Sequence, residues 1–168
     1  MQIFDKLNLP EFKKGEVWLV GAGPGDPRLL TIFALYALSE ANIIIYDALV
    51  SDEILSLSSR NATLVYAGKR GGKPSHSQEN ISELVIKYSL EGKKVLRLKG
   101  GDPYVFARGA EESFKLNENK ISYRVIPGIT SSIGGMASAS IPATSRNTNS
   151  CILFLTGHNS NGEVPDDI

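Results

Sequence analysis

Five short apolar runs at 17–20, 43–46, 63–66, 95–98 and 123–126 alternate with stretches of helical periodicity. Between the first two runs, Leu29, Leu30, Phe33, Ala34, Ala37 and Leu38 recur on one helical face, and Ile81, Leu84, Val85 and Tyr88 repeat that spacing before the fourth. Strands of this kind, too apolar to face water and separated by helices, close into a parallel sheet covered on both faces. The expected fold is therefore α/β, a five-stranded parallel sheet flanked by helices. Arg97 interrupts the apolarity of the fourth run, which predicts that this strand meets an edge or a polar cleft.

Every predicted strand ends in a segment suited to ligand binding. The first runs into Gly21-Ala22-Gly23-Pro24-Gly25-Asp26-Pro27 and the second into Asp47. The third reaches Gly68-Lys69-Arg70-Gly71-Gly72, the fourth Gly100-Gly101-Asp102-Pro103, and the fifth Pro127-Gly128-Ile129-Thr130-Ser131. In open parallel sheets ligands bind beyond the carboxyl ends of the strands. Glycine, acid, base and hydroxyl thus gather on one edge. Asp26 is suited to cap a helix that Pro27 begins.

Which ligand is a narrower question. A dinucleotide fingerprint fails because Asp26 stands where Gly-x-Gly-x-x-Gly needs its third glycine, and no phosphate-loop spacing surrounds Gly68-Lys69. Asp47 and Lys69 follow neighbouring runs and form either an acid–base pair or a surface ion pair worth ~0–1 kcal/mol. Lys69, Arg70, Lys73 and Arg108 form a basic cluster that suits an anionic substrate or a solvated face. Trp18 and Met136 read as core residues. One cysteine and two separated histidines give no metal-site spacing, so no metal is expected. Eighteen basic residues balance eighteen acidic ones, which provides no field for nucleic acid or anionic membrane. No apolar run approaches the ~20 residues of a membrane span, and the single cysteine fits a cytoplasmic setting.

The glycine, Asp47, Lys69 and Asp102 segments in this order resemble the uroporphyrinogen-III C-methyltransferases of the tetrapyrrole methylase family. The likeness continues through Tyr46-Asp47-Ala48-Leu49-Val50-Ser51, Gly68-Lys69-Arg70-Gly71-Gly72-Lys73-Pro74-Ser75, Phe106, Arg108-Gly109, Glu111-Glu112 and Thr156-Gly157-His158. It implies methylation of uroporphyrinogen III to precorrin-2, for sirohaem or cobalamin synthesis, with S-adenosylmethionine as donor. By position, Pro24, Gly100, Gly101, Asp102, Val105, Thr130 and Ser131 would contact the donor. Asp47 would accept a proton and Lys69 donate one, while Arg70, Lys73 and Arg108 would meet substrate carboxylates. The alternatives are another precorrin or tetrapyrrole methylase of this fold, a nicotinamide-dependent oxidoreductase, and a non-catalytic homologue.

The resemblance also sets the expected organisation. An N-terminal arm (1–14) precedes the N-terminal methylase domain (15–143), and 144–168 is a linker plus the first strand, at 151–156, of an incomplete second α/β domain. A homodimer is implied for the full-length protein. Ala107 and Ala110 stand where the family usually has glycine, and Ser145 replaces a frequent histidine.

Overall fold

In the computed structural model, residues 2–68 and 78–157 are described, and they divide into two compact units at Thr130/Ser131. The first holds all five strands: β1 (Val17–Gly21), β2 (Ile43–Tyr46), β3 (Thr63–Tyr66), β4 (Val95–Lys99) and β5 (Tyr123–Ile126). All pair in parallel, in the order β3-β2-β4-β1-β5. Its helices are α1 (Gln2–Lys6), α2 (Ile32–Glu40), α3 (Asp52–Leu55), α4 (Gln78–Leu90) and α5 (Gly109–Glu118).

The order follows from the handedness of crossovers. From β1 the chain steps outward to β2 and β3, then returns to insert β4 and passes on to β5. Right-handed connections running in opposite directions put their helices on opposite faces. One face accordingly packs Trp18, Val20, Ile44, Leu96 and Leu98 under Ala34, Ala37 and Leu38 of α2 and Ile54 of α3. The other packs Val17, Leu19, Ile43, Ile45 and Val95 under Ile81 and Val85 of α4 and Leu116 of α5. Each large apolar side chain so buried contributes ~1.5–3 kcal/mol. Phe12, from the segment ahead of β1, stacks on Trp18 with ring centroids 4.1 Å apart.

Three expectations change, and one predicted strand stands without a partner among the described residues. Asp26 does cap, accepting from the Arg28 N–H at 2.9 Å, but the turn it opens is a single 3-10 turn, Pro27–Leu29. Leu30 is extended, and Thr31 caps α2 separately through the Ala34 N–H at 3.0 Å. Arg97 lies neither on an edge nor in an open cleft: β4 is the central strand, and the side chain is buried among polar partners. Met136 is only half-buried, because in α6 (Ser131–Ser138) of the second unit Gly134 is the one residue fully covered. Residues 151–156 form no ladder among the described residues, since an apolar run becomes a strand only beside a hydrogen-bonding neighbour. In that unit α6 is closed by Ser140 in the left-handed region (φ 58), and Asn149 ties the following turn through Nδ2 to the Ala143 carbonyl at 3.1 Å.

Candidate active site

The carboxyl ends of the strands meet where the connections diverge. β4 lies between β2 and β1, whose helices cover one face, while its own connection runs to the other. This is the arrangement that opens a crevice at the strand ends.

Glycines let the loops approach to backbone contact there. A Cβ on Gly21 would lie 2.5 Å from the Gly128 nitrogen and 2.6 Å from the Gly101 carbonyl oxygen. The loops after β1, β4 and β5 are therefore in main-chain contact. Gly23 and Gly101 exchange two backbone hydrogen bonds, at 3.1 and 2.8 Å, in a short antiparallel bridge. Asp102 fastens the third loop: Oδ1 accepts from the Tyr104 N–H at 2.8 Å and Oδ2 from the Gly128 N–H at 3.1 Å. The β2 loop joins through Ser51, whose hydroxyl donates to the Gly25 carbonyl at 2.9 Å, and through Leu49, which fills the space beside Gly100. Gly25 (φ 114) adopts a backbone open only to glycine, and nothing lies within 4 Å of where its Cβ would be.

Beneath these loops a charged cluster is sealed into the sheet. Arg97 and Lys99 project from alternate positions of β4 onto the α4/α5 face, and both reach Glu112 in the first turn of α5. Arg97 Nε lies 3.1 Å and Lys99 Nζ 3.0 Å from Glu112 Oε1. All three side chains are at most 4% exposed. Arg97 Nη1 also donates to the carbonyls of Leu98 (3.1 Å) and Ile45 (3.3 Å), and Nη2 faces Asp47 Oδ2 at 3.8 Å. Asp47 Oδ1 accepts from the Leu49 N–H at 3.0 Å. Burial, and then the Arg97 charge, hold the Lys99 ammonium below the ordinary lysine range, against the opposing pull of Glu112. Among the described residues no acidic, histidine or cysteine cluster is arranged to hold a metal.

Residues 16–166 match the family of Tetrapyrrole (Corrin/Porphyrin) Methylases. The chain belongs to that family. It is 54% identical over 160 residues to a Sinorhizobium uroporphyrinogen-III C-methyltransferase, covering 95% of this chain and 57% of the relative. It is 46% identical over 157 residues to the siroheme synthase of Pseudoalteromonas translucida, covering 94% of this chain and 33% of that one. A crystal structure of uroporphyrin-III C-methyl transferase from Thermus thermophilus, complexed with S-adenyl homocysteine, superposes with a TM-score of 0.76 at 38% identity. That superposition covers 90% of this chain and 63% of the other. The chain thus spans about half the length of the relatives it matches, and as little as a third of some.

In this tetrapyrrole methylase, Pro24, Gly100, Gly101, Asp102, Val105 and Thr130 all lie in the loops beyond β1, β4 and β5. Ser131 opens the second unit as the first residue of α6. Arg108 precedes α5 in the left-handed region (φ 59) and pairs with Glu111 through Nε at 2.8 Å, an interaction that lowers the Glu111 pKa. Lys69, Arg70 and Lys73 lie outside the described residues. A groove of about 620 Å³ between α4 and α5, lined in part by Glu83, Ile86, Lys87 and Lys115, contains none of these residues. It lies on a helical flank, away from the strand ends where backbone groups converge. Sequence reasoning missed the link from Asp47 to Glu112. Its signal was two cations spaced i, i+2 in an otherwise buried strand, which require a buried counterion.

Proposed function

We propose that this chain carries the donor-binding domain of an S-adenosylmethionine-dependent C-methyltransferase that converts uroporphyrinogen III to precorrin-2. Residues 144–168 are, in this reading, the linker and first strand of its second domain, and the full protein is a cytoplasmic homodimer. The observation that carries the reading is the backbone contact of the β1, β4 and β5 loops at Gly21, Gly101 and Gly128, on the same carboxyl edge of the sheet that Asp47 follows at the end of β2.

The loops fit such a donor. Gly25 leaves main chain uncovered, and Asp102 holds two loops together while each carboxylate oxygen keeps acceptor capacity. Pro24, Gly100, Gly101, Asp102, Val105, Thr130 and Ser131 would hold it. When bound, the donor supplies a sulfonium methyl open to attack by a pyrrole carbon. The residues' task is then alignment and exclusion of water, which can account for ~7–11 kcal/mol of a barrier. After the new carbon–carbon bond forms and the sulfonium leaves as a neutral thioether, the methylated ring system carries the positive charge and must lose a proton. Asp47 Oδ2 is suited to receive it, because Oδ1 is held by the Leu49 N–H. Lys69 would donate a proton, and Arg70, Lys73 and Arg108 would meet the carboxylates of the substrate.

Incubation with S-adenosylmethionine and uroporphyrinogen III, followed by mass spectrometry, is expected to show addition of two methyl groups, and Asp47→Asn to suppress it. Absence of both methyl transfer and S-adenosylhomocysteine binding by calorimetry refutes the proposal.

A further inference from the structure

The guanidinium of Arg97 is committed on three sides. Its Nε goes to Glu112 and its Nη1 to two strand carbonyls, so only Nη2 is turned toward Asp47. The remaining separation, 3.8 Å, is that of an ion pair without a hydrogen bond. We propose that Glu112 is a positioning residue: acting through Arg97, it holds the guanidinium back from Asp47 and keeps that carboxylate available as a proton acceptor. This rests on the role given to Asp47 above.

The geometry explains why a buried carboxylate is shared. Glu112 Oε1 accepts from both Arg97 and Lys99, so the cations of β4 are drawn toward α5 and away from the β2 loop. The first turn of α5 favours a carboxylate at this position. Among the described residues, the charged groups that act on Asp47 include Arg97 and Lys99 from β4, with Glu112 behind them from α5. Without Glu112, Asp47 becomes the nearest carboxylate for Arg97. Closing that pair from 3.8 Å to a hydrogen-bonded ~2.8 Å at an effective dielectric of ~20 corresponds to about one pH unit.

The test is a carbon-13 NMR titration of the Asp47 carboxyl in this chain without substrate, which keeps it independent of whether methyl transfer occurs. In Glu112→Gln, with folding checked by circular dichroism, the midpoint is expected about one pH unit lower than in the parent. Where methyl transfer is measurable, the acid limb of its pH–rate profile should move with it, while S-adenosylhomocysteine affinity stays within about twofold. Lys99→Met is the second variant. It leaves Glu112 wholly to Arg97 and removes a cation near Asp47, so the midpoint should rise. A folded Glu112→Gln whose midpoint stays within about 0.3 unit of the parent overturns the proposal. So does a Lys99→Met midpoint that falls or stays unchanged, which also decides the matter if Glu112→Gln does not fold. An Asp47 midpoint that shifts as expected while the acid limb of methyl transfer stays in place would support the positioning role and count instead against the catalytic reading of Asp47.

Discussion

Gly21→Ala isolates the convergence on which the site depends. The backbone of Gly21 does not lie in the left-handed region, so alanine meets no conformational penalty there. With free space the change would stabilise by ~0.4–1 kcal/mol, through reduced freedom of the unfolded chain. Space is what the fold withholds: the new methyl would sit 2.5 Å from Gly128 N and 2.6 Å from both Gly128 Cα and Gly101 O. All three are main-chain atoms, so no rotamer change relieves the overlap, and the cost belongs at the upper end of the ~1–3 kcal/mol seen for overpacking. The net expectation is a loss of about 2 kcal/mol, or roughly 8 °C in Tm for a unit of this size. Trp18, the single tryptophan, is fully buried three residues upstream in the same strand and reports urea unfolding by fluorescence. Calorimetry with S-adenosylhomocysteine should show weakened binding, because the three loops must separate. Gly135→Ala in α6 is the sign control, since nothing lies within 4 Å of its Cβ and the helix should gain ~0.5–1 kcal/mol in amide exchange. A Gly21→Ala protein as stable as its parent would refute the backbone contact.

Two further outcomes follow from the same loops and cluster. Asp102→Ala removes acceptors for the Tyr104 and Gly128 N–H groups, and should cost ~1–3 kcal/mol in urea unfolding and lower S-adenosylhomocysteine affinity about tenfold or more. Lys99 has a folded-state pKa held below its unfolded value by burial. The unfolded chain therefore binds more protons between those two values. The stability tied to this group is fully present above the unfolded value and is lost as pH falls through the folded one. From about pH 8 to about pH 10 the urea midpoint of the parent should therefore gain relative to that of Lys99→Met; parallel pH dependences would contradict the shift.

The sheet was legible because each strand is fixed by a local property: an apolar run too short for a helix and bounded by glycine or aspartate. The bounds at 43–46, 63–66 and 123–126 match β2, β3 and β5, and β1 and β4 each extend one residue further. The strand-end loops were legible for the same reason, since a parallel sheet sends all its carboxyl ends to one edge. What local pattern could not supply was strand order. Arg97 suggested an edge because a lone charged residue in an apolar run is costly to bury, and only insertion of β4 beside β1 and β2 brings Glu112 over it. The break at Leu30 was hidden because Leu29 and Leu30 keep helical spacing with Phe33, while Thr31 starts a new helix. Residues 151–156 are apolar enough for a strand, but a strand also needs a hydrogen-bonding neighbour, and none pairs with them among the described residues.

The α4/α5 face of β4 changes character along its length, from Val95 at the base to Arg97 and Lys99 toward the site. Removing one member of such a cluster and removing the whole of it have opposite consequences. Glu112→Leu alone leaves two cations at most 4% exposed without their carboxylate, a change of the kind that costs ~3–5 kcal/mol. The triple change Arg97→Leu, Lys99→Met and Glu112→Leu removes every buried charge together, and Asp47, 23% exposed at the side chain, still has water as a partner. Replacing a buried ionic cluster by apolar side chains of similar volume is commonly neutral or stabilising by ~1–4 kcal/mol. The triple variant should therefore be at least as stable as the parent in urea, even though it abolishes the coupling to Asp47. A triple variant less stable than the parent would mean that the cluster serves the fold; one at least as stable, beside a destabilised Glu112→Leu, would mean that β4 carries its charges for the chemistry at its carboxyl end.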